Sequence, residues 1–87
     1  MSQFFLDTNG GDLASINLDN QMELIRSLRF ARIQAGISLE DAADKLGITV
    51  SLLEAVEVNR VELSLTDLRQ YAYACNAVIE YQVIPFE

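Results

Sequence analysis

With 87 residues the chain is long enough for one domain and a modest core, and a hydrophobic content of 51% argues against wholesale disorder. No stretch reaches the roughly 18 apolar residues of a membrane span, and no basic region leads into an apolar run as in a signal peptide. Thirteen acidic residues against six basic ones give a net charge of −7, so phosphate backbones repel the domain unless its cations gather on one face.

The cations are Arg26, Arg29, Arg32, Lys45, Arg60 and Arg69, half of them in one predicted helix. Histidine is absent, which removes imidazole acid–base chemistry and leaves no Cys/His set for zinc. The one cysteine, Cys75 in AYACNA, is expected to be a buried structural thiol. It cannot close an intramolecular disulfide, and a reducing, cytoplasmic compartment is expected. Asp7, Asn9, Gly10, Gly11 and Asp12 faintly resemble a calcium loop, but the later ligands are missing and a turn fits better. No nucleophile–base pair or phosphate-binding loop occurs, so a protein without catalytic activity or cofactor is expected.

Taken in order, residues 1–19 predict an N-terminal strand, hairpin or flexible arm. QFFL and LASINL are short apolar runs, and Asn-Gly and Gly-Gly between them suit a tight reversal. A first helix is predicted over 20–36. Asn20 and Glu23 have capping-box spacing, Met22, Ile25, Leu28 and Ala35 trace its stripe, and Gly36 ends it. Ser38 caps a second helix whose inner side is Ala42, Ala43 and Leu46. Gly47 supplies the left-handed stop. Thr49 caps a third helix carrying Leu53 and Val56. Two short helices joined by a Gly-containing turn form a helix-turn-helix. After a loop at 58–63, Ser64 and Asp67 box the start of a fourth helix with Leu65, Leu68, Ala72 and Cys75 inward, and Asn76 is a natural C-cap. Residues 77–87 change period to two and are rich in β-branched and aromatic side chains, which predicts a strand. A lone strand must pair: with residues 3–6 and 13–17, with a second subunit, or with both. The fold class is therefore mostly α, four to five helices with a C-terminal β-strand and a possible N-terminal strand or hairpin. A homodimer through Val78, Ile79, Tyr81 and Val83 is expected.

From Leu28 to Ala77 the sequence resembles the Cro/repressor-type, or XRE, helix-turn-helix family. LRFARIQAGISLEDAADKLGITVSLLEAVEVNR follows the family's succession of landmarks, and SLTDLRQYAYACNA matches the helix that comes next. The resemblance implies a repressor-like domain over 20–76. It also implies a structural ion pair between Arg32 and Glu57, with Arg29 as the other candidate partner, because a buried carboxylate needs a cation. The C-terminal strand is similar to that of antitoxin-type members, whose strands pair across a dimer.

The leading functional expectation is a small transcriptional regulator that binds double-stranded operator DNA as a homodimer, with its third helix in the major groove. Val50, Ser51, Glu54 and Ala55 are its candidate base-facing positions. Val50 or Ala55 would meet a thymine methyl and Glu54 would accept from cytosine N4. Ser38, Thr49, Lys45 and Arg60 are candidate phosphate contacts. The family commonly has Gln where Leu39 stands, and this face holds no Arg, Gln or Asn for bidentate readout. Glu40, Asp41, Asp44 and Glu54 oppose phosphate. The alternative is an acidic protein-interaction module, antirepressor- or antitoxin-like, using Leu39, Val50, Leu52, Ala55 and Val58 against a basic regulator or toxin.

Overall fold

The computed structural model describes residues 11–86. Four helices follow one another: α1 over Gly11–Gln34, α2 over Leu39–Leu46, α3 over Val50–Glu57 and α4 over Leu65–Ala74. They enclose one core built from Ile25 and Leu28 of α1, Ala42 and Ala43 of α2, Leu53 and Val56 of α3, and Leu68, Tyr71, Ala72, Ala74 and Cys75 at and after α4. Ala42 and Ala43 are the buried residues of α2. Their side chains are small and are at most 2% exposed.

The N-caps form as side-chain chemistry dictates. Ser38 Oγ accepts from the Asp41 amide at 3.0 Å, Thr49 Oγ1 from the Leu52 amide at 3.1 Å, and Ser64 Oγ from the Asp67 amide at 3.0 Å. Each satisfies one of the amides a helix start leaves unpaired.

The helix ends share one device. After each helix a residue turns left-handed: Gly36, Gly47, Asn59 and Asn76, with φ between 58° and 73°. The amide of the following residue then reaches back five positions, as in Ile37 to Arg32 O at 3.1 Å, Ile48 to Ala43 O at 3.1 Å, Arg60 to Ala55 O at 2.9 Å and Ala77 to Ala72 O at 2.9 Å. This is the Schellman closure. A β-carbon added at Gly47 meets nothing within 4 Å, so the cost of Gly47→Ala is backbone strain alone. We expect it to lower stability by about 1–2 kcal/mol, read as a shift in urea midpoint with unchanged slope.

Two expectations are corrected. Residues 13–17, taken as strand or arm, are helix, and α1 begins at Gly11 rather than at Asn20. In LASINL the apolar residues Leu13 and Ile16 also fit helical spacing, and so short a run does not separate the two periods. The partner N-terminal segment at 3–6 lies outside the described residues. The predicted C-terminal strand is also not found. Residues 77–86 form neither helix nor strand, and only Ala77 and Ile79 of this tail pack against the core. A strand is defined by its neighbour, and within the chain the described neighbour it was expected to use is a helix. No helix among the described residues is long and apolar enough to cross a membrane.

Candidate nucleic-acid interface

The face in question is made by α2, its turn and α3. In α3, Leu53, Val56 and Glu57 are buried. The helical period therefore turns Ser51, Glu54 and Val58 outward, and all three are exposed. Ala55 lies between them, half-buried. Val50 is half-buried and packs on the core, so of the predicted base-facing set it is the one held back from the surface. Leu39 packs inward in the same way. Ser38 and Thr49 stand exposed at the starts of α2 and α3. Their oxygens are occupied as caps, and each hydroxyl hydrogen remains able to donate to an anion.

The structure separates the two predicted cations. Arg60 is exposed just past α3, its backbone tied to Ala55. Lys45 instead points toward α4, with Nζ 5.8 Å from the centre of the Tyr73 ring, a cation–π distance. Lys45 also borders a groove of about 270 Å³ with Leu52, Val56 and Val61, on the flank of α3 away from Ser51 and Glu54. The remaining arginines are placed elsewhere: Arg26 pairs with Glu23 at 3.2 Å, Arg69 donates to Thr66 at 3.3 Å, and Arg29 lies 3.4 Å from Glu57. Glu40, Asp41 and Asp44 are exposed along α2 and Glu54 along α3. The outer face thus carries more carboxylate than cation.

Behind that face sits a buried polar network. Arg32 Nε donates to Glu57 Oε2 at 2.8 Å and Nη2 to Oε1 at 2.9 Å, a two-pronged pairing suited to the planar guanidinium. Arg32 Nη1 donates to the Ile37 carbonyl at 2.8 Å. Tyr71 Oη donates to Glu57 Oε2 at 2.8 Å. The hydrogen bonds to Glu57 hold the Arg32 guanidinium above its ordinary pKa against the opposing effect of burial. Burial, aided by the bond to Glu57, pushes the Tyr71 phenol up as well. Among the described residues no buried side-chain polar atom lacks a partner. The network ties the end of α1 to the end of α3 and to α4, and so fixes the angle at which α3 presents its outer side. Tyr71 is the member that sequence reasoning missed. Its reach to Glu57 joins residues 14 apart in the chain, beyond what helical spacing shows.

The predicted dimer residues divide. Val78 and Val83 are each 92% exposed and Tyr81 is 63% exposed, whereas Ile79 is turned inward onto the core. Among the described residues no group of His, Cys, Asp and Glu side chains gathers as a metal site would.

A helix-turn-helix family model matches residues 28–78, from the second half of α1 through α4. Comparison with curated proteins and with solved structures returns no match.

Proposed function

This chain belongs to the Cro/repressor-type helix-turn-helix family of DNA-binding transcriptional regulators, and we propose that it acts as a homodimer on operator DNA, with α3 in the major groove. The observation that carries the reading is the outward side of α3. Ser51 and Glu54 are exposed on α3, as are Ser38 and Thr49 at the starts of α2 and α3, and α3 is tied to α1 and α4 through Arg32, Glu57 and Tyr71.

In this reading Ser51, Glu54 and Ala55 meet base edges, and Ser38, Thr49 and Arg60 meet phosphate. Val50 supports α3 from within, and Lys45 contributes at longer range. Direct readout is sparse, because a serine, a glutamate and an alanine lack the bidentate donors that read guanine or adenine. Position along the duplex and the spacing of two half-sites then carry more of the selectivity. The second protomer docks through the tail, residues 77–86, which form neither helix nor strand within the chain and whose exposed Val78, Tyr81 and Val83 suit strand pairing across a two-fold axis.

Fluorescence anisotropy on duplex DNA tests this directly. Arg60 alone from each protomer, or Arg60 with Lys45, amounts to two to four released counterions per dimer. The slope of log affinity against log salt is then expected to lie between about −2 and −4. Absence of any binding at about 50 mM salt, where phosphate contacts are strongest, rejects the DNA reading. Glu54→Gln, which removes an exposed carboxylate from the contact face, is expected to tighten binding to generic duplex several-fold without changing stability.

A further inference from the structure

We propose that the groove between α2, α3 and α4 is a binding site for a small organic cation, an apolar body carrying one ammonium group. This site does not depend on the DNA reading. Its volume of about 270 Å³ lies just under the ~300–1,000 Å³ of ordinary ligand pockets, which suits a compact molecule. Its lining is largely apolar. Leu53, Val56 and Tyr71 border it and all three are buried, and the Tyr71 hydroxyl is already given to Glu57. Leu52 and Val61 border it too, and at 42% and 38% exposure they carry the apolar surface out to solvent.

Charge selects the occupant. Glu62, Asp67 and Lys45 border the groove, two carboxylates against one ammonium. Among the described residues the ion pairs join Arg26 to Glu23, and Arg29 and Arg32 to Glu57, so neither Glu62 nor Asp67 has a cation there. Lys45 is drawn toward the Tyr73 ring. A ligand ammonium is attracted by both carboxylates, and the apolar lining removes the rest of the molecule from water. Gln70 adds an amide to the same groove, and an apolar pocket with a few converging polar groups is the usual form of a ligand site. The same charges turn other occupants away. DNA phosphate is repelled, and residues 77–86 of a second copy would bring a further carboxylate, Glu80, and no cation.

The test is an NMR titration of the full chain at neutral pH with butylamine, cyclohexylamine and phenethylamine, and with phenylacetate as the anionic counterpart of the last. At least one amine is expected to shift the amides of Leu52, Val61, Asp67 and Gln70 saturably, with a dissociation constant on the order of 1 mM. Phenylacetate is expected to bind at least about tenfold more weakly. The paired variant Glu62→Gln, Asp67→Asn is expected to weaken the amine by about tenfold. Both side chains are exposed, so thermal stability serves as the folding control. Lys45→Met, which removes the competing cation, is expected to tighten the amine several-fold, and it decides the matter if the paired variant melts early: unchanged or weaker binding there overturns the proposal. Absence of a saturable shift with all three amines up to about 20 mM, phenylacetate binding as tightly as phenethylamine, or an unchanged constant in a folded paired variant also overturns it. Groove shifts that follow protein concentration with no amine present assign the groove to a second copy of the chain and overturn it as well.

Discussion

Glu57→Ala is expected to lower the stability of this domain by about 3–5 kcal/mol, enough to leave much of the chain unfolded at 37 °C. A domain of this size starts with a margin at the lower end of roughly 5–15 kcal/mol. The loss comes from what stays behind. Arg32 is 7% exposed and would keep only its bond to the Ile37 carbonyl, a buried cation with no counter-charge. Tyr71 would lose its acceptor at the same time. Arg32→Met is milder, because Arg29 already stands 3.4 Å from the carboxylate and the Tyr71 hydroxyl stays in place. The double substitution Arg32→Met, Glu57→Met is expected to be more stable than Glu57→Ala, since an apolar pair of similar volume leaves no charge buried alone. Urea unfolding of the three variants checks the order. A double variant less stable than Glu57→Ala contradicts the account, because the network would then contribute more than it costs to bury.

The second large effect is alkaline. Stability is expected to fall from about pH 9 upward, by roughly 4 kcal/mol at pH 11. Burial pushes the Cys75 thiol up to about 11, and burial with the bond to Glu57 pushes the Tyr71 phenol up as well. Both groups are neutral when protonated, and both are almost fully covered, Cys75 at 0% and Tyr71 at 2% exposure. In the unfolded chain the thiol ionises from about pH 8.5–9 and the phenol from about 10, while the folded chain keeps both protons. The unfolded state then binds fewer protons, and stability declines with pH. The contribution is complete below the unfolded values and disappears as pH rises through the folded ones. Cys75→Ala is expected to remove the part of the slope that begins near pH 9, and Tyr71→Phe the part that begins near pH 10. Thermal melts from about pH 7 to 11 give both. A slope in Cys75→Ala identical to that of the parent rejects the assignment of the earlier step.

Local chemistry made much of the scaffold legible. Ser38, Thr49 and Ser64 cap where a hydroxyl precedes an apolar stripe, and Gly36, Gly47 and Asn76 stop helices where a left-handed residue is needed. These effects act over three to five residues, so the sequence contains both halves of each. The inward stripes of α2 and α3 follow from helical period in the same way, as do Leu68, Ala72 and Cys75 at and after α4, whereas Leu65, expected inward, is 67% exposed in the first turn of α4. The pairing of Arg32 with Glu57 spans 25 residues, and it was reachable only through the family resemblance.

Where both partners are distant, the linear chain was silent or misleading. LASINL reads as a short apolar run of a strand, hairpin or arm and is helix, because Leu13 and Ile16 fit helical spacing, Ile16 and Leu18 fit alternation, and so short a run does not separate the two. Residues 77–86 have strand composition and no strand, since a ladder requires a neighbouring strand and none lies beside them among the described residues.

What the sequence determined by itself was the set of elements between Asn20 and Asn76: four helices, their caps and stops, and the helix-turn-helix at their centre. Each rests on interactions between residues a few positions apart. Tertiary structure alone decided that Lys45 turns to Tyr73 and away from the outer side of α3, and that Val50 is drawn into the core. It alone brought Tyr71 to Glu57 and left the first half of α1 uncovered. Those outcomes depend on which helix faces cross in space, and that is a property of packing rather than of period.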